Sequence, residues 1–298
     1  PIPNIAVNPD LVLIPVASLA NSTVRLDRLE VRFETSPLTW VGVLAVKGAV
    51  EGSKVDVSAV TGFLSISPSS DSTIAEPMSQ SAAVNLVRFE GALENSTVTM
   101  QNVILADETA CGRPIRPLQF RATVSGSNVS VIGCRWMIGN SIDVSNAAAP
   151  AAPGDSSKGP PALISGARLE AGTVVAIRDS TISLVLPQPA QSGSVDLSPD
   201  VSVIRFEELT DARSSLELLR STLAFNFSEK LCGSATPGGA AASSYIFGVS
   251  VGSVGAGARI HAERVTLRGQ VTGASQSMTA VSVGDCQQCN ISLYSGSH

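Results

Sequence analysis

Charge is the first shortage: Lys, Arg, Asp and Glu supply 15% of the 298 residues, where a soluble globular domain carries about a quarter. A chain so thinly charged is neither a solvated coil nor a long surface helix. Aromatic side chains are scarcer still, at 4%, with 2 Trp and 2 Tyr. The net charge of −5 denies the basic field that nucleic acid or an anionic membrane surface requires. Long apolar runs are missing too. Leu11 to Ala20 (LVLIPVASLA) is interrupted by Pro15 and falls well short of the roughly 20 residues that cross a bilayer, so it reads as a strand and no membrane span is expected in this segment.

Histidine is nearly absent, with only His261 and His298. A nucleophilic triad needs a histidine, and His261 lies in a strand phrase (ARIHAERVTL) at an outward-facing position, the place of a solvated strand residue. A zinc site needs four ligands, so the single Cys286-Gln287-Gln288-Cys289 phrase does not make one; no metal is expected. No Gly-rich loop runs from a strand into a helix, so no nucleotide cofactor is expected either. The chain starts at Pro1 without a basic region and apolar core behind it, so a removed signal peptide or a longer parent chain is expected. The close is as abrupt: Asn290 to Leu293 begins a new strand with few residues left.

What is present is Val, Ala, Leu and Ile with 25 Gly and 17 Pro, a mixture of strand formers and turn residues. A repeated phrase organises it. Asn21-Ser22-Thr23-Val24-Arg25-Leu26 returns as Asn95-Ser96-Thr97-Val98-Thr99-Met100 and as Gly126-Ser127-Asn128-Val129-Ser130-Val131. With the first apolar residue as anchor, copies stand at Val24, Val55, Val98, Val129, Val175, Leu216, Ile260 and Ile291, at intervals of 31, 43, 31, 46, 41, 44 and 31 residues. The bare unit is therefore 31 residues, and longer intervals carry insertions. Apolar residues recur two positions after each anchor, from Leu26 to Leu293. They recur again seven positions after it, at Val31, Leu105, Trp136, Ile182, Leu223 and Leu267, with Gly62 as the exception. Alternation on both sides of a short corner is the mark of two strands meeting at a bend. A third alternating stretch precedes the anchor in Leu86 to Phe89, Leu118 to Phe120, Val203 to Phe206, Tyr245 to Val251 and Met278 to Val283.

Three strands per repeat predict an all-β fold: a right-handed parallel β-helix, or β-solenoid, of about eight rungs with loop insertions on one edge. One rung cannot bury its apolar face alone, whereas stacked rungs form a continuous core. Phe206 to Leu223 holds good helix formers, but Leu216, Leu218 and Leu223 fall on template positions and favour strands. In Arg32-Phe33-Glu34, Arg88-Phe89-Glu90 and Arg205-Phe206-Glu207, alternation turns Phe inward and its charged neighbours to solvent. The extra length lies in Ser67 to Ser81, Asn146 to Pro161, Pro187 to Pro199 and Gly233 to Ser244, all between the second and third strands of a repeat. These Pro/Gly/Ser/Ala-rich segments read as irregular loops from one edge, where solenoids keep binding surfaces. Residues 1–298 are thus one domain, expected to be a segment of a longer chain.

Five N-x-[ST] acceptors occur, at Asn21, Asn95, Asn128, Asn226 and Asn290. Four lie just before an anchor, where an asparagine serves equally as glycan acceptor or as corner residue. The five cysteines are Cys111, Cys134, Cys232, Cys286 and Cys289. Cys134 shares a template position with Leu29, Val60, Val103 and Val265 and is expected in the core. Cys111 with Cys232, and Cys286 with Cys289, are possible disulfides between which sequence does not choose. Candidate residues for a catalytic face are Asp27, Asp56, Arg178, Asp179, Glu217, Arg220 and Glu263, but they are spread over different rungs, so no catalytic residue is assigned.

The phrases NSTVTMQNVILAD, SNVSVIGCRWMIGN, GTVVAIRDSTISL and ARIHAERVTLRG, between Ala/Ser/Gly/Pro-rich inserts, resemble the repeats of the dispersed gene family surface proteins of trypanosomes and related kinetoplastids. More broadly they resemble pectate-lyase-like β-helix repeats of cell-surface proteins. The resemblance implies a secreted or surface-displayed, glycosylated β-helix of adhesive or structural role, with no catalytic residues to carry over and a longer parent chain. The expected function is therefore a non-catalytic extracellular or cell-surface β-helix that presents variable loops to a host or matrix protein or glycan. Self-association, end to end or side by side, is a further expectation, because terminal rungs expose strand edges. The alternative is a carbohydrate-active β-helix enzyme, lyase-like or hydrolase-like, or a carbohydrate-binding module.

Overall fold

The computed structural model describes residues 10–34, 40–65, 84–107, 115–139, 162–187, 201–228, 245–269 and 277–294. Among them there is no helix, and every strand pairs in parallel with its counterpart one repeat away. The chain visits three sheets in turn. The first has 12 strands, from Asp10–Val16 to Ser277–Cys286; the second has 8, from Thr23–Asp27 to Asn290–Tyr294; the third has 7, from Glu30–Glu34 to Thr266–Gly269. Four of the first sheet's strands, Leu19–Ala20, Val50–Glu51, Leu93–Glu94 and Val124–Ser125, are two-residue pieces that later rungs merge into single long strands.

The register reproduces the repeat residue for residue. Val24, Val55, Val98, Val129, Val175, Leu216, Ile260 and Ile291 pair in unbroken succession along the second sheet. In the third sheet Val31, Gly62, Leu105, Trp136, Ile182, Leu223 and Leu267 do the same. Side chains of all three sheets meet in one core cluster. Within it Phe89 and Phe120 stack with ring centroids 5.4 Å apart. Gly62 breaks the apolar pattern for a spatial reason: a Cβ there would sit 2.7 Å from Leu105 Cδ2, so the next rung's leucine fills its place.

The stretch with helix-forming composition is strand here. Val201–Leu209, Ser215–Leu219 and Thr222–Ser228 cover it, with Leu216, Leu218 and Leu223 buried. Asp211 makes the bend between the first two: its carboxylate accepts N–H bonds from Arg213 at 2.8 Å, Ser214 at 3.1 Å and, one rung back, Gly172 at 3.2 Å. A local turn that satisfies this many amides outweighs helix propensity.

Corners are held along the stack. At the corner entering the second sheet, the Ser53 hydroxyl accepts the Ser22 N–H at 3.1 Å, Ser96 accepts from Ser53 at 3.0 Å and Ser127 accepts from Ser96 at 3.0 Å. Each hydroxyl also donates to the carbonyl two residues behind it, as Ser96 does to Glu94 at 2.7 Å. Thr173 continues the ladder. Just before it the backbone is left-handed, at Asn21 (φ 46°), Gly52 (φ 54°), Asn95 (φ 46°) and Gly126 (φ 56°). Asparagine and glycine are the residues that tolerate this region best. They alternate because each asparagine side chain lies over the next rung's glycine; a Cβ at Gly126 would meet Asn95 Oδ1 at 2.7 Å.

The first sheet departs from simple alternation. Val43, Leu44, Ala45 and Val46 are all buried, as are Asn85, Leu86, Val87, Arg88 and Phe89. In these middle rungs it is buried on both faces, as parallel sheets commonly are, whereas the strand Asp10–Val16 alternates, with Leu13 64% exposed. That corrects the expectation for Arg88-Phe89-Glu90 and Arg205-Phe206-Glu207. Phe89 and Phe206 are inside, but Arg88 is only 6% exposed and Arg205 is half-buried; Glu207 alone meets solvent freely.

Two measurements check the corners. Ser96→Ala leaves the buried Ser53 amide without its partner, at a cost of about 1–3 kcal/mol, read from urea unfolding. For Asp211, burial alone would raise the carboxyl pKa, but N–H bonds from Arg213, Gly172, Ala171 and Ser214 outweigh it and hold the pKa below the ordinary aspartate value. A depressed native pKa contributes stability above the unfolded value near 3.9 and loses it as pH falls through the native value. Asp211→Asn is therefore expected to melt below the wild type at pH 7, with the gap closing at acid pH.

Candidate functional site

The seven carboxylate and arginine candidates separate into two groups. Asp27 and Asp56 sit on the first two rungs and are engaged there: Asp27 accepts the Ser58 hydroxyl at 2.7 Å and lies 3.3 Å from Arg25, while Asp56 pairs with Lys54 at 2.7 Å. The other five, spread out in sequence, come together on three consecutive rungs of the second sheet and its corner. Arg178 pairs with Glu217 at 3.1 Å across one rung step. Arg220 grips Asp179 with two bonds of 2.7 and 2.8 Å, a hydrogen bond that holds the Asp179 carboxyl below its usual range. Glu263 lies 3.7 Å from Arg264. The expectation of a scattered set is corrected for these five, and the cause is the register, which carries residues about 40 positions apart onto adjacent strands.

His261 joins this group. It pairs in register with Glu217 on one side and Ser292 on the other. Its Nδ1 lies 2.9 Å from Ser292 Oγ, its Nε2 lies 3.9 Å from Glu263, and the Tyr294 ring is tilted against it at 5.6 Å. Serine, imidazole and carboxylate thus stand in a row on a half-exposed strand face. Sequence reading missed this because Ser292 follows His261 by one bare repeat, a spacing that matters only once the register is known. Among the described residues no three His, Cys, Asp or Glu side chains gather to hold a metal, and no helix is long and apolar enough to cross a membrane.

A second charged group lies on the doubly covered first sheet. Arg116 is 7% exposed; burial first, then the guanidiniums of Arg121, Arg88 and Arg205, push its pKa down to about 10. Arg88 meets Glu90 at 2.9 Å.

The cysteines divide as their positions suggest. Cys286 and Cys289 form a disulfide. Cys134 is a buried free thiol, and burial pushes its pKa up to about 11, which makes it unreactive. It occupies a template position shared with Ser180 and Ser221, whose hydroxyls bond along the stack; its sulfur lies 3.5 Å from the Ile132 carbonyl. Cys111 and Cys232 lie outside the described residues, as do the four long inserts apart from Pro187. Asn21, Asn95, Asn128 and Asn290 are exposed, though Asn21 and Asn95 also serve the left-handed corner. The strand Thr222–Ser228 contains Asn226.

No protein-family model, curated protein or solved structure matches this chain.

Proposed function

We propose that this chain is a non-catalytic, right-handed parallel β-helix of an extracellular or cell-surface protein, with a structural or adhesive role, that displays variable loops from one edge to a protein or glycan partner. One observation carries the reading. Every long connection, at 66–83, 140–161, 188–200 and 229–244, joins a third-sheet strand to the next first-sheet strand, so the long inserts of the repeat are gathered at a single corner. The resemblance to kinetoplastid-type surface repeats supports the same placement. So do a disulfide, which persists in oxidising compartments, and exposed sequon asparagines at rung corners. The ion-paired carboxylates of the second sheet suit a solvated display rod better than a catalytic groove, where an acid would be left poised.

Replacing residues 140–161 by a connection as short as 35–39 is expected to leave folding and melting nearly unchanged and to reduce adhesion of the purified protein to cells or matrix glycans. Unchanged adhesion by this variant and by the same change at 66–83, 188–200 and 229–244 would sink the loop-display reading. Mass spectrometry of the natively sourced protein is expected to find glycan on exposed sequons, and five bare asparagines would count against a secreted origin.

A second reading, a carbohydrate-active β-helix enzyme, is favoured by the 2.9 Å contact between Ser292 Oγ and His261, which a sugar-ester hydrolase would use as nucleophile and base. The imidazole turns Nδ1 to the serine, and its Nε2 stands beyond hydrogen-bond distance of Glu263. The leading reading expects no difference between wild type and Ser292→Ala in hydrolysis of acetylated sugars. A Ser292-dependent rate would transfer the assignment to the enzyme.

A further inference from the structure

Cys286 and Cys289 close the corner of the last described rung with a disulfide, and the register shows what each of them replaces. Cys286 pairs with Val254 and stands in the column of Leu93, Val124, Leu169 and Leu209, all of them buried. Cys289 directly precedes Asn290, which pairs with Arg259, so it takes the serine-ladder place held by Ser96, Ser127, Thr173 and Ser214 on earlier rungs. Those corners close without cysteine. At Ala258 the ladder place holds neither hydroxyl nor thiol, and the Ala258 N–H donates to the Gly255 carbonyl at 3.2 Å.

The disulfide is therefore not what holds the chain in place. Three backbone bonds tie its corner to the rung before: Gln287 N–H donates to Val254 at 3.0 Å, Gly257 N–H to Gln288 at 3.1 Å and Asn290 N–H to Ala258 at 3.0 Å. Cysteines three positions apart also constrain the unfolded chain little, because the loop they close is short. The dithiol form has places ready for both sulfurs. A free cysteine packs as a small hydrophobe, which suits Cys286 in an aliphatic column. A thiol fits a ladder place too: Cys134 fills one at the next corner, with its sulfur 3.5 Å from the Ile132 carbonyl two residues behind. Access separates the two sulfurs. Cys286, Gln287 and Gln288 are exposed, whereas Cys289 is half-buried and packs against the core. Exposed disulfides are the exchangeable ones.

We propose that Cys286–Cys289 is a reversible thiol–disulfide exchange site that takes a small thiol at Cys286. The thiolate attacks Cys286 Sγ, the S–S bond breaks, and Cys289 leaves as a thiolate that takes a proton from water. The product is a mixed disulfide on Cys286. A second thiolate then attacks the sulfur of the bound thiol and frees Cys286, so two electrons pass to the protein and the two small thiols leave as one disulfide. A small-molecule disulfide reverses both steps, and the backbone bonds that keep the two Cα atoms 5.6 Å apart hold the sulfurs within bonding reach. The site goes beyond the display role and does not depend on it, since neither cysteine lies in a variable insert.

The test places the folded full chain in glutathione buffers of graded redox ratio, traps thiols by alkylation and assigns them by peptide mass spectrometry. The reduced fraction of the pair is expected to follow the buffer ratio in both directions, with a melting temperature and far-ultraviolet circular dichroism close to those of the oxidised protein. Cys289→Ser restores the ladder residue and removes the thiol that would expel the small molecule, so glutathione is expected to accumulate on Cys286. Cys286→Val restores the column residue, and Cys289 is then expected to take up glutathione about tenfold or more slowly, since access to the sulfur sets the rate. The double variant, Cys286→Val with Cys289→Ser, carries the template of the earlier rungs and is expected to melt close to the oxidised wild type; it decides the matter if a single variant does not fold. Reduction that occurs only once urea has unfolded the chain, or a double variant that melts far below wild type, makes the disulfide a structural staple and overturns the site. Glutathione found on Cys289 in preference to Cys286 overturns it as well.

Discussion

In-register stacking of like template positions is the constraint from which the rest of this molecule follows. Each strand's amides and carbonyls bond to the equivalent residues one repeat away, so a side chain is chosen against its counterparts above and below as much as against the core. Phe89 lies on Phe120. Where the next rung places Gly166 at that position, Phe206 of the rung beyond occupies the space. The same compensation sets Gly62 beneath Leu105. Large-to-small changes in such a column cost about 3–5 kcal/mol for an aromatic, because neighbours fixed by backbone pairing cannot close the gap.

Stacking also explains why only one corner varies. A buried corner amide can find its partner only along the axis, and the Ser53–Ser96–Ser127 ladder supplies it at the entry to the second sheet. Between the second and third sheets the left-handed residue recurs at Arg28, Ala59, Asn102, Gly133, Asp179, Arg220 and Arg264, followed by the column of Val60, Val103, Cys134, Ser180 and Ser221. An insertion at either corner would break a ladder on both sides of the inserted rung. At the entry the step lengthens only from Leu93–Thr97 to Leu209–Ser215. Beyond the third-sheet strand no such ladder runs among the described residues, and there the chain admits long inserts.

This decides what the sequence makes legible. The second and third sheets face the core on one side only, so their alternation is visible and the anchors fall into register with the structure without a slip. Trp40–Val46 and Ala162–Glu170 are not recoverable in the same way, since residues 42–46 and 162–166 are buried on both faces and read as small and apolar runs with no period, unlike the alternating stretches from Leu86 to Phe89 and from Met278 to Val283. The serine ladder was open to reading, because Ser or Thr stands two positions before the anchor at residues 22, 53, 96, 127, 173 and 214. The left-handed corner was not: arginine, alanine, asparagine, glycine and aspartate share that backbone conformation without sharing a side-chain chemistry. The charged group on the second sheet was legible residue by residue but not as a group, since its members meet only across rungs.

Like-on-like stacking is a burden for charge, and the two sheets meet it differently. On the second sheet and its corner, opposite signs meet across one rung step. Arg178 lies against Glu217 and Asp179 against Arg220 in adjacent rungs, as Arg168 lies against Glu208 at the exposed end of the first sheet. Exposed pairs of this kind contribute little each, roughly 0–1 kcal/mol, but they remove the repulsion that identical rungs would impose. In the covered part of the first sheet the column instead runs Arg88, Gln119, Ser165, Arg205, with neutral residues between cations and no alternation of sign. Neutral spacers reduce repulsion without cancelling it, and burial strengthens what is left, because the local dielectric falls. Where opposite signs stand on adjacent rungs the fold pairs them across the step, and in the covered column it sets Gln119 and Ser165 between Arg88 and Arg205 and pairs Arg88 with Glu90 along its own strand.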